Sequence, residues 1–262
     1  MNRLSCVAIS LAVTCVMAAR APAVAAAQAT PPNSAIDPDA ITALNDMGAY
    51  LRGLKEYQVK ARVTSDDVLT DGQRIQYTSA TDMLVRNPDR LVANVVNDRI
   101  ERTFLYDGKS FTLWAPRVSY YATVDAPATI RELLTRLDEK YEIEMPFVDL
   151  FLWGTPKSSV ADIKAATDIG PSVVENITCE QYAFRQDGLD WQIWIQRGSH
   201  PLPLKLVLTT LTDEARPQHM VVYTWNLAPS FNDAAFVFVP PADAKKITFM
   251  DMSAARTDAK KK

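Results

Sequence analysis

Hydrophobic positions along the chain change their period three times. From Ile41 they recur at three- and four-residue steps: Ile41, Leu44, Met47, Leu51 and Leu54. That spacing predicts an amphipathic helix of about four turns. Asp37-Pro38 supplies an N-cap and a proline at the first helical position, and the pattern ends near Gly53 to Lys55. From Tyr57 the period drops to two. Alternation predicts strands over Tyr57–Leu69, Arg74–Arg86, Leu91–Asn97, Arg102–Tyr106, Phe111–Ala115 and Arg117–Val124. Then the period lengthens again. Thr129 and Glu132 have capping-box spacing, and Ile130, Leu133, Leu134, Leu137 and Tyr141 form an apolar stripe. A second short helix is expected over Phe147–Trp153, after Pro146 and before Gly154; it is apolar almost all round and reads as a buried plug or lid. Strands resume near Ser172 and continue over Gln181–Gln186, Leu189–Gln196, Leu202–Thr210 and His219–Asn226, with a closing strand Phe236–Val239 before Pro240-Pro241.

Asp71-Gly72, Asp107-Gly108 and Asp187-Gly188 each fall between two alternating stretches. Asp-Gly suits a two-residue turn with positive φ at both central positions, so each pair marks a hairpin. Helix, strands, two helices and strands again describe an α+β fold: a large antiparallel incomplete β-barrel, or half-barrel, with helices covering its open, concave side. A closed lipocalin-like barrel is the alternative.

Even-length turns would put Phe104, Tyr106, Phe111 and Leu113 into facing sets, and likewise Tyr182, Phe184, Trp191, Ile193 and Ile195. Leu204, Leu206 and Leu208 continue that face, as do Val221, Tyr223 and Trp225. Two or three helices must cover about ten strands. If they cover them fully, these residues are ordinary core; if they fall short, a cavity remains that suits an apolar ligand. The cavity-lining candidates are Phe104, Tyr106, Phe111, Leu113, Phe147, Phe151, Trp153, Phe184, Trp191, Ile193, Leu206 and Trp225. Trp114 and Trp194 alternate with these sets, so each is either covered from the other side or part of a contact surface.

The N-terminus changes the compartment. Arg3, the apolar run Leu4–Met17 and the small-residue stretch at Ala23–Ala29 predict a secretory signal peptide over residues 1–29. One domain is expected over 30–252, with a flexible tail over 253–262. Cys6 and Cys15 fall in the leader, so Cys179 is left without an internal disulfide partner and reads as a buried, inert thiol. Removing the leader takes Arg3 and Arg20 from the 28 basic residues, leaving 26 against 31 acidic, a balance of about −5 that argues against nucleic acid.

Candidate chemistry is sparse. His200 and His219 form no metal-binding motif and read as surface residues, and no nucleophile elbow or phosphate loop appears. The acid pairs Asp66-Asp67, Glu142/Glu144 and Asp187/Asp190 read as solvated surface. No catalytic residue, metal or cofactor is expected, and the chain is not read as an enzyme.

Several segments carry a resemblance. They include Met47–Arg52, Asn87-Pro88-Asp89-Arg90-Leu91, Leu105–Phe111, Phe151-Leu152-Trp153-Gly154, Tyr182–Gln186, Trp191–Ile195 and Trp225–Pro229. In order and content these resemble a bacterial family of predicted periplasmic proteins (domain of unknown function 2092). That family is in turn similar to the lipoprotein-localisation carrier fold, LolA/LolB-like. The resemblance implies a soluble periplasmic carrier or sensor of lipid, lipoprotein acyl chains or another hydrophobic ligand. The expected partner is therefore a hydrophobic small molecule, with a periplasmic or membrane protein as a second class. The alternatives are a protein-interaction module with a filled core, docking through Trp114 and Trp194, and a hydrolase whose site assembles only in space.

Overall fold

A computed structural model of the chain describes residues 36–155 and 160–252. The expected leader and tail lie outside the described residues. Helix α1 (Pro38–Gly53) begins where Asp-Pro directs it: the Asp37 carboxylate accepts from the Asp39 amide at 2.9 Å. Strands β1 (Glu56–Val68), β2 (Arg74–Arg86), β3 (Arg90–Val96), β4 (Glu101–Tyr106), β5 (Ser110–Ala115) and β6 (Tyr120–Asp125) then form an antiparallel meander. Helices α2 (Ile130–Arg136) and α3 (Asp149–Leu152) follow. The chain continues through β7 (Ala165–Val174), β8 (Ile177–Gln186), β9 (Leu189–Gln196), β10 (Pro203–Thr210) and β11 (Gln218–Asn226) to β12 (Lys245–Ile247).

The two meanders join where β1 pairs with β11, placing Val63 opposite Val221. One sheet of 12 strands results, in the order β12-β6-β5-β4-β3-β2-β1-β11-β10-β9-β8-β7. Its strand pairs are antiparallel except β12 against β6. The ends of the order, β12 and β7, do not meet. The fold is thus an open half-barrel with few helices, not a closed barrel.

The three hairpins form, but by different turns. Thr70-Asp71-Gly72 is a three-residue loop closed by Leu69 and Gln73. At the second, Asp107 is the residue before the turn, and Gly108-Lys109 are its centre, with φ +84° at Gly108. Asp187-Gly188 is a two-residue loop. Only the glycine of each pair has positive φ, against the expectation for both residues. The aspartates serve as acceptors instead. Asp107 accepts from the amides of Lys109 at 2.9 Å and Ser110 at 2.7 Å. Burial opposes its ionisation, but these bonds outweigh that and hold its carboxyl below the usual range.

Register decides the faces. Phe104 opposes Leu113, Tyr106 opposes Phe111, and Phe184 opposes Trp191, as even-length turns require. These residues join the main core with α1, α2, Val221 and Tyr223. Leu204 does not. The pairing of β10 slips between Pro203 and Lys205, and the extra residue turns Leu204 to the opposite face beside Trp194, Cys179 and Val207.

Other boundaries moved for local reasons. Strand β7 begins before Ser172, at Ala165, and runs through Pro171 with a bulge at Ile169, between Asp168 and Gly170. A 3₁₀ turn over Pro116–Val118 delays β6 to Tyr120. The helix begun at Thr129 ends in a wide π-type turn over Leu137–Tyr141, and the plug helix shortens to four residues. No strand forms over Phe236–Val239. That segment instead lies across the outer face, with a 3₁₀ turn at Asp233–Phe236; Phe236 is buried against Val92 and Leu105, and Phe238 rests on Trp114. Pairing resumes after Pro240-Pro241, at β12.

Candidate functional site: two grooves under the plug

The segment from Met145 to Gly154 lies over the helix-covered face of the sheet. Met145 and Leu150 are buried, and the Phe147 ring stands edge-on to Tyr223 with centroids 5.4 Å apart. Its far end is locked to α1. The Arg52 guanidinium donates to the Trp153 carbonyl at 2.6 Å. Gly48 lets α1 come this close, because a Cβ there would stand 3.0 Å from the same carbonyl oxygen.

Grooves open on both sides of this segment. The larger has a volume of about 610 Å³. Val63, Phe104, Val221 and Tyr223 form its floor, Leu134 and Met145–Asp149 its roof, and Ser79, Arg102, Glu144 and His219 part of its polar margin. The smaller, about 280 Å³, runs between α1, the plug and β9, lined by Leu44, Asn45, Trp153, Ile163, Leu189 and Trp191 among others. Leu206, Leu208 and Asp149 line both. Each groove is partly open to solvent.

The cavity candidates distribute unevenly. Phe104 and Phe147 line the larger groove, Trp153 and Trp191 the smaller, and Leu206 both. Trp225 borders a separate hollow near His200 and Leu202. Tyr106, Phe111 and Ile193 have no solvent exposure and sit in the packed core, with Phe184 stacked on Trp191 at 4.1 Å. Leu113 and Phe151 are half-buried against that core. The outward tryptophans are covered: Trp194 is 8% exposed, with Lys205 Nζ 4.6 Å from its ring centroid.

Two polar residues at the grooves escaped the sequence reading. His219 was expected at the surface; it is half-buried, faces the larger groove, and its Nδ1 lies 2.8 Å from Ser65 Oγ on the adjacent strand. Burial pushes its protonation midpoint down, partly offset by the field of Asp149. Asp149 is solvent-exposed on the groove wall, although much protein lies around it. Desolvation raises its carboxyl above the usual range, with His219 pulling the other way. Asp149 could have been suspected, since it is the lone charge in Phe-Val-Asp-Leu-Phe-Leu-Trp. His219 gave no such signal, because only the β1–β11 register brings it to Ser65. Among the described residues, no cluster of three or more His, Cys, Asp or Glu side chains could hold a metal ion.

Fold and site define a class: an open antiparallel half-barrel with helix-roofed, largely apolar grooves on one face. Residues 40–250 match the family model described as "Predicted periplasmic protein (DUF2092)", and the chain belongs to that family, which places it in the periplasm. No curated protein matches the sequence. Among solved structures, LprF from Mycobacterium bovis is similar at 15% identity and TM-score 0.47, covering 80% of this chain and 99% of that one. LppX from Mycobacterium tuberculosis gives 11% identity and 0.39, covering 75% and 100%. A LolA superfamily protein from Nitrosomonas europaea gives 10% and 0.31, covering 76% and 97%.

Proposed function

We propose that the protein is a periplasmic binding protein that carries or senses a hydrophobic ligand, such as a lipid or acyl chain, held between the sheet and the plug. The observation that carries this reading is the pair of adjoining grooves sharing Leu206 and Leu208, the larger about 610 Å³, within the range of small-molecule sites. Burial would supply the affinity. Each methylene withdrawn from water contributes roughly 0.8 kcal/mol, so a fourteen-carbon chain brings about 10 kcal/mol before ordering costs. Phe104, Phe147, Trp153, Trp191 and Leu206 are the contacts we assign to the chain, and the segment Met145–Leu152, ahead of the Arg52 anchor, is the movable cover.

The docking alternative draws less support, because Trp194 is covered by its own sheet neighbours. Native mass spectrometry of protein purified without detergent tests the binding reading. A co-purified lipid adduct, together with uptake of the neutral dye N-phenyl-1-naphthylamine, is the expected result. A clean apo mass with no dye uptake would overturn it.

A further inference from the structure

We infer that the grooves select amphiphiles with a cationic, amine-type head over anionic ones, with Asp149 as the counter-ion of the head. This rests on the carrier reading above and narrows its ligand class.

Asp149 is the one charged side chain that lines both grooves, at the stretch of wall they share through Leu206 and Leu208. A ligand lying along those leucines therefore passes this carboxylate from either side. Among the described residues, Asp149 forms no ion pair. The other ionisable groups facing the grooves are Arg102 from β4, His219 from β11, Asp138 and Glu144 from the roof, and Asp162 from the smaller groove. Acids outnumber the one permanent cation. Arg102 lines only the larger groove, and it is exposed, as Asp149 is, so water and salt screen both. Burial disfavours the charged form of the His219 ring. A carboxylate head brought beside Asp149 would set two like charges side by side, whereas an ammonium would pair with it and donate to it.

The test is displacement of bound N-phenyl-1-naphthylamine by three matched ligands at pH 7.5, each below its micelle concentration: dodecylammonium, dodecanol and dodecanoate. Dodecylammonium should displace the dye at about one-tenth of the dodecanoate concentration. Asp149→Asn should erase that preference, bringing the dodecylammonium and dodecanoate concentrations together. Asp71→Asn, the same charge change on a hairpin loop, should keep it. Equal or better displacement by dodecanoate overturns the inference, as does a preference that survives Asp149→Asn or is lost equally in Asp71→Asn. If dodecanol displaces the dye and the head group makes no difference, only this inference fails. If no dye binds at all, the carrier reading fails with it.

Discussion

At the scale of single residues, the grooves couple two titrations of opposite sense. Desolvation by the surrounding protein raises Asp149 and lowers His219, and each partly counteracts the shift of the other. The consequences for stability have opposite signs. The Asp149 contribution is complete below the ordinary carboxyl value of 3.8 and is lost as pH rises through its raised folded value. The His219 contribution is present above the ordinary histidine value of 6.5 and is lost as pH falls through its lower folded value. Asp149→Asn removes the field that favours the imidazolium while leaving the Ser65 contact in place. The His219 midpoint, followed by NMR of its ring protons, should therefore move further down. A midpoint that stays put or rises would show that the two groups do not sense each other.

At the scale of elements, alternation and turn chemistry made most of the sheet legible, and loop parity between β8 and β9 put Phe184 and Trp191 on the same face. What stayed hidden were the places where one residue breaks the period. The slip at Leu204 reverses a side chain where Pro203 marks a strand start as readily as a bulge. Gly170-Pro171 reads as a stop, yet β7 runs through it with its bulge just before. Phe-Val-Phe-Val alternates like a strand, but its aromatic rings are used to cover the outer face, with Arg86 over Phe231 and Phe236. The grooves themselves were readable only as a shortage of helical cover; which aromatics would line them depended on packing depth, so Phe104 and Tyr106, two residues apart, part company. The slip at Leu204 also determines how Trp194 should behave. Its ring packs with Leu204 and Val207, and its Nε1 donates to Ser172 Oγ at 3.2 Å. Trp194→Ala should thus cost about 3 kcal/mol through the cavity it leaves, lowering the thermal midpoint by roughly 8 °C. An unchanged midpoint would return this residue to the docking reading.

At the scale of the whole molecule, the sheet separates two tasks by face. Over β3–β5 the outer face is covered by the chain itself: Phe236 is 1% exposed against Val92 and Leu105. The inner face is closed only in part, because α1, α2 and the plug leave the grooves around Leu208, which is half-buried and lines both. Stability and ligand capacity should therefore respond to different substitutions. Phe236→Ala removes a fully packed ring and should cost about 3 kcal/mol. Dye capacity per folded molecule should not change, since the ring lies on the side of the sheet away from the plug. Leu208→Trp adds bulk where space already exists. It should fill part of both grooves, shift the thermal midpoint by only a few degrees and cut dye uptake severalfold. Paired thermal melts and dye titrations on the two variants measure both quantities. If Phe236→Ala loses dye capacity as readily as Leu208→Trp, the faces are not independent, and binding would have to be sought in the folding of the sheet as a whole rather than in the space beneath the plug.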